Sequence, residues 1–336
     1  MIRRYYATKD NSITNAYEEN LTTRGTGSNM GASDVLEVFS IYGQESSTSS
    51  ELMRTIIQFD TAELIADRAA GKVPASGSVS WYLKMFNAPH SQTVPSDFNL
   101  IVSAVSSSWE EGYGLDMDYY EDLTKDGIGS NWINAKQRTA ATATLDLTAD
   151  ITLTSVAKGR TRNTNTLQTV VNSPAANAGN AVLVGFTGTA TAIVCTVTPD
   201  DTGPVTLTTA QLVELINNGS VAGKTVTITD ASSFRALQTA TGGGSQNLAA
   251  AGEGDEVTAT FAGATGQWLA EGGDYHVAPT FTQTFSTGLE DMELDVSDLV
   301  EQWIKGPASG GKDNYGFGVK LPDATEAATR SFFTKK

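Results

Sequence analysis

The sequence predicts an all-β fold: an antiparallel β-sandwich with one short helix, carrying an inserted small β-rich domain. Three observations predict it. Short alternating apolar stretches, separated by turn formers, recur at both ends of the chain. Residues 295–321 (DVSDLVEQWIKGPASGGKDNYGFGVKL) hold a short helix, a glycine stop and an alternating strand. The composition shifts at Ala140 and shifts back after Gln267.

The helix comes first because the rest is organised around it. Val296, Leu299, Val300, Trp303 and Ile304 recur at helical spacing and form one apolar stripe. Asp295 or Ser297 can accept from the first free backbone N–H groups, and Gly306 with Pro307 ends the helix. About three turns are marginal alone, so the Trp303 face must be buried against a sheet. Beyond it, Tyr315, Phe317, Val319 and Leu321 alternate with Gly316, Gly318 and Lys320, a period of two that predicts a half-buried strand with those four on one side.

In chain order, residues 2–8 predict a first strand. Residues 22–33 (TTRGTGSNMGAS) are rich in turn formers and predict a surface loop. Strands are expected at 35–42, 53–59, 78–86 and 98–105. Asp60 is placed to cap a helix, with Glu63 completing a capping box. On 78–86, Val79, Trp81, Leu83 and Met85 share a face. Residues 109–134 form a long acidic, aromatic loop. After the middle segment, strands are expected at 281–285, 292–296 and 315–321, and another begins at Ser331. A sheet ending there needs a partner at its edge or more chain beyond Lys336.

The middle segment, 140–267, has five basic and nine acidic residues, and its aromatics are Phe186, Phe234 and Phe261. Strands are expected at 181–186 and 192–197, joined by a Thr-Gly-Thr turn, and at 224–229 and 256–261. Thr208 or Thr209 caps a short helix carrying Leu212, Val213 and Ile216. The expected domains are therefore 1–139 and 268–336, together the outer sandwich, and 140–267, the insert. Such insertions survive where their ends lie close on a surface loop.

The chain has 336 residues and a formal net charge of −16. That charge argues against nucleic-acid binding, which needs clustered Lys and Arg, and against anionic membranes. Arg3 and Arg4 precede no apolar signal segment, and no stretch is long enough to span a bilayer. The single cysteine, Cys195, lies in an apolar run and cannot form an internal disulfide.

Few residues invite chemistry. His90 and His276 are the two histidines, and no spacing pairs either with Cys195 or with other ligands. Glu110 and Glu111 are adjacent and point opposite ways, unlike a glycosidase pair. Asp116, Asp118, Glu121, Asp122 and Asp126 crowd the acidic loop, but an EF-hand needs a ligand and a glycine where Tyr120 and Glu121 stand. Gly242, Gly243 and Gly244 lack the lysine of a phosphate loop. No catalytic residue, cofactor or metal is expected. Tyr113, Asp116, Asp118, Tyr119, Tyr120, Glu121 and Asp122 form a candidate interaction loop, whose tyrosines are suited to subunit contact or to stacking on sugar faces.

Several segments carry a resemblance: 29–39 (NMGASDVLEVF), 53–60 (MRTIIQFD), 108–112 (SWEEG), 130–135 (SNWINA), 271–276 (EGGDYH), and DVSDLVEQWIKG with NYGFGVKL. They resemble the DNRLRE-type β-sandwich related to non-catalytic carbohydrate-binding modules. The likeness covers the two outer thirds of the chain. The combination looks most like virion structural proteins of marine tailed bacteriophages, including those of cyanobacteria. The family's usual strand after a segment like SFFTKK is absent here. The insert is similar to small β-rich domains repeated in phage structural proteins. The resemblance implies a non-enzymatic virion protein, assembled in a host cytoplasm, that touches other virion proteins and copies of itself. The alternative it leaves is an adhesin that recognises host surface glycans. A hydrolase is the third reading, and the sparse catalytic inventory disfavours it.

Overall fold

A computed structural model describes residues 2–89, 95–118, 129–139 and 263–328 with their side chains. It gives the backbone alone at residue 119, in the strands between 140 and 260, and at 332–335. The chain forms two compact units, one of residues 1–137 with 267–336, the other of residues 138–266. Both are built of strands, with three short α-helices among the described residues, so the fold is all-β.

The first unit opens with β1 (Ala7–Thr14), β2 (Glu37–Tyr42), β3 (Ser50–Phe59), α1 (Ala62–Ala69), β4 (Tyr82–Met85) and β5 (Phe98–Val105). The second unit supplies β6 (Ala140–Leu145), β7 (Asp150–Lys158), β8 (Thr166–Val171), β9 (Leu183–Gly188), β10 (Ala192–Thr198) and β11 (Val205–Thr208). It continues with β12 (Ser220–Val221), β13 (Lys224–Thr225), β14 (Gln238–Thr241), β15 (Ser245–Leu248) and β16 (Val257–Thr260). The first unit resumes with β17 (Tyr275–Phe285), β18 (Met292–Asp295), α2 (Ser297–Lys305), β19 (Phe317–Lys320), α3 (Asp323–Glu326) and β20 (Phe332–Lys335).

Seven strands of the first unit make one antiparallel sheet in the order β17-β5-β19-β3-β2-β20, with β1 also on β3. A second layer, the β4–β18 ribbon and α2, covers one face. The core between them holds Ile57, Leu100, Val102, Phe317 and Val319 from the sheet and Leu83, Met85, Met292, Leu299 and Trp303 from the covering layer. The Trp303 ring meets Phe317 edge-on at 4.7 Å. A second cluster lies apart from this core and holds Ile13, Ile56, Val105, Trp109, Trp132 and Trp268. Strand β3 contributes Ile57 to one cluster and Ile56 to the other, so it is buried on both sides and lacks strict alternation.

Helix α2 obeys the predicted stripe, with Leu299, Val300 and Trp303 buried. The Asp295 carboxylate accepts the Ser297 N–H at 3.0 Å, and Gly306 closes the helix at φ 69°. Arg68 of α1 forks onto Glu301 at 2.7 and 2.6 Å, and the Trp81 indole donates to the same carboxylate at 2.9 Å. On the other side of the sheet Arg54 grips Glu326 at 2.7 Å, donates to the Gly272 carbonyl and lies over the Trp132 ring.

Four expectations are corrected. The first strand starts at Ala7, because Arg3 and Tyr5 are drawn instead to the Asp67 carboxylate. Thr61, not Asp60, is the N-cap of α1, and Asp60 accepts the Ala62 N–H at 2.8 Å. Tyr315 leaves the side shared by Phe317, Val319 and Leu321 and packs with the Trp109 and Trp132 cluster. The break falls at Gly316, whose φ of 88° interrupts the alternation. Residues 22–33 are not a surface loop: Gly25, Gly27, Ser28, Asn29 and Met30 are buried.

Within the second unit, β9 and β10 form an antiparallel hairpin, and β8 joins β10 in parallel. Cys195 lies on β10. The helix with Leu212, Val213 and Ile216, the 226–229 part of an expected strand and Gly242 to Gly244 lie outside the described residues.

Candidate functional site

One asparagine anchors the expected interaction loop. Asn29 is fully buried. Its Oδ1 accepts the N–H groups of Gly31 and Gly114 at 3.1 and 2.8 Å. Its Nδ2 donates to the carbonyls of Glu111 and Ser130 at 2.7 and 2.8 Å. A carboxamide carries donors and an acceptor on one short arm, so it can bridge strands of loop as a peptide group would. The Asn29 N–H reaches Asp116 Oδ2 at 3.0 Å, and the Asp116 N–H returns to the Asn29 carbonyl at 3.1 Å. Gly112 passes so close, at φ 80°, that a Cβ there would lie 2.5 Å from Asn29 Nδ2.

Asn11 on β1 makes the second tie. Its Nδ2 donates to the Ser130 carbonyl and hydroxyl, both at 2.8 Å, and its Oδ1 accepts the Met30 N–H at 3.0 Å. Asn131 then caps the turn behind it, accepting the N–H groups of Ile133 and Asn134. These bonds hold segments distant in sequence together, with both carboxamide ends of Asn29 and of Asn11 satisfied and only the Asn131 carboxamide oxygen in use.

The carboxylates serve the same framework. Glu111 accepts the Asp10 N–H at 2.8 Å and Glu110 the Gln137 N–H at 3.2 Å, so the two diverge. Burial pushes the Asp10 carboxyl up, helped by the Glu111 charge. Burial lowers the Lys9 ammonium against the pull of Glu111 and Glu110, and it donates to the Trp109 carbonyl over that ring. Asp274 accepts the N–H groups of Leu269 and Ala270 and the Ser107 hydroxyl.

Of the residues expected in the interaction loop, Tyr113 is 71 % exposed and Asp118 is exposed. Asp116 is corrected: at 4 % exposure it is spent on Asn29 and is closed to a partner. Tyr119 ends a 3-10 turn, Asp116–Tyr119, with its backbone alone described. Tyr120, Glu121 and Asp122 lie outside the described residues, as do Asp126 and His90. His276 is half-buried, and burial with the nearby Lys312 charge lowers its pKa.

Beside this loop runs a groove of about 410 Å³. Its lining includes Met30, Met53 and Met117, the Phe39 ring, and the carboxylates of Asp34, Glu37 and Asp118. Reading the sequence missed both the groove and its asparagine anchors. The one signal for the anchors is a Ser-Asn doublet at 28–29 that recurs at 130–131.

Among the described residues no group of three His, Cys, Asp or Glu is placed to hold a metal ion. No helix among them is long and apolar enough to cross a membrane. Comparison with family models, curated proteins and solved structures finds nothing that matches this chain.

Proposed function

We propose that this chain is a non-enzymatic structural component of a tailed-phage virion that acts through protein–protein contacts. The observation that carries the reading is the use made of its acidic loop. Glu110, Glu111 and Asp116 each accept a backbone N–H, so groups that could have converged on a substrate brace the framework instead. The likeness of the outer segments to marine-phage virion proteins supplies the particle. The place within it is tail, baseplate, fibre or capsid surface, with assembly in the host cytoplasm. Antibodies against the chain, applied to purified particles of the phage that encodes it, should label virions at a regular position. Its recovery solely in the soluble fraction of the lysate would overturn the reading.

A second reading, an adhesin for host surface glycans, draws on the exposed Tyr113 ring and the carboxylates of the neighbouring groove. Aromatic faces and acidic oxygens suit sugar faces and hydroxyls. A glycan array probed with the intact chain decides it: binding that Tyr113→Ala abolishes establishes the adhesin, and an empty array removes it.

A further inference from the structure

We propose that copies of this chain associate head to tail, with the ridge formed by Ile2, Arg4 and Tyr6 of one copy seated in the Met30–Phe39 groove of the next. The inference rests on the reading of the chain as a component held by protein–protein contacts, and it names the surfaces.

The ridge comes from residues 2–6, which run ahead of β1 outside any regular element. Its odd residues are tied down to the body of the unit. Arg3 pairs with Asp67, Tyr5 donates to the same carboxylate at 3.2 Å, and the Tyr5 ring lies 6.1 Å from that of Trp81. Its even residues face out. Ile2 is 89 % exposed and Tyr6 78 %, and Arg4 between them is exposed. Among the described residues Arg4 makes no ion pair, whereas Arg3, Arg54 and Arg68 all do. Pinning one row of the segment holds the other row out as a preformed apolar–cationic–apolar strip. Preorganisation of this kind lowers the ordering cost of binding.

The groove has the opposite chemistry. Met30 and Met53 are buried beneath it with the Phe39 ring alongside. Thioethers on flexible stems adapt to an incoming apolar side chain. Asp34, Glu37 and Asp118 contribute carboxylates, and among the described residues no Lys, Arg or His lines it. A groove of about 410 Å³ is of the size that takes one or two large side chains. The strip thus offers two apolar side chains and one cation to a site with an apolar floor and anionic walls. Ridge and groove are different patches, so the contact is heterologous and yields rings or open arrays rather than a closed two-fold dimer.

The test is sedimentation of the intact chain alone and of two charge-reversal variants, Arg4→Asp and Asp34→Arg. The wild type is expected to self-associate, less so as salt rises. Each variant alone should associate about tenfold more weakly or worse. Mixed in equal amounts, the two should recover association, because the wild-type ridge of the Asp34→Arg copy meets the wild-type groove of the Arg4→Asp copy. Circular dichroism checks that both variants keep the wild-type fold. A wild type that stays monomeric at its highest soluble concentration, or variants that associate as it does, would overturn the inference. So would a mixture that recovers nothing. None of these outcomes touches the virion reading, which particle labelling decides separately.

Discussion

Trp268 donates its indole N–H to the Asn131 carbonyl at 2.8 Å across 137 residues of sequence. The bond sits where the chain leaves the first unit and where it returns. Asn134 and Gln267 bridge as antiparallel partners, the Trp268 N–H reaches the Ile133 carbonyl, and the Gly272 N–H reaches the Trp132 carbonyl. Trp132, Ala135 and Trp268 are buried in one cluster with Ile13, Ile56 and Val105. The exit and entry are therefore closed by contacts belonging wholly to the first unit.

Replacing residues 138–266 with a short Gly-Ser linker should leave the first unit folded, since loop closure costs little and the ends are already joined. Cooperative urea unfolding with a tryptophan near-UV spectrum like that of the full chain is the expected result. A broad, non-cooperative transition would mean that the two units stand or fall together.

Trp303→Ala removes a ring that is 4 % exposed and packed edge-on against Phe317. A loss of about 3–5 kcal/mol is expected from urea melts, the range for deleting a buried aromatic. A loss under about 1 kcal/mol would show that the apolar stripe of α2 is not part of the core.

Asn29→Ala should cost about 3 kcal/mol or more, because it strands the Gly31 and Gly114 N–H groups and the Glu111 carbonyl and leaves the Ser130 carbonyl to Asn11 alone. Limited proteolysis should then cut the loop that begins at Glu110 more readily than in the wild type. An unchanged digestion pattern would remove Asn29 as the anchor.

Acid should weaken the clasp between α1 and α2. The forked hydrogen bonds from Arg68, with help from the Trp81 indole, hold the Glu301 carboxyl at about 2 in the folded chain against an ordinary 4.5. A depressed folded value means the contribution is complete above the ordinary value and is lost as pH falls from there toward 2. Melting temperatures of the wild type and Glu301→Gln, followed from neutral pH downward, should converge across that window. Parallel curves would rule the clasp out as the source.

What the sequence revealed and what it hid follow from the range of the forces involved. The stripe of α2 and the limits of β5 were legible, because burial of one face imposes a period that local sequence must carry. The buried turn around Asn29 was not. Gly, Ser, Thr and Asn look alike in a solvated loop and in a buried one, and the difference lies in partners at Glu111 and Ser130, far along the chain. The departure of Tyr315 from strict alternation has a local cause instead. One glycine at positive φ, Gly316, turns the Tyr315 side chain away from the Phe317 side and into the tryptophan cluster.

Strand β3 pairs with β1 before it and β2 beside it, and also with β19, which belongs to the far end of the chain. Strand β5 likewise waits for both of its neighbours, β17 and β19, until the whole insert has been made. During synthesis at about 5–20 residues per second, β5 is therefore left without sheet partners for roughly 10–40 s. In that interval the nascent chain carries an apolar strand with bare edges, the kind of exposed surface that favours aggregation until translation delivers the missing pair.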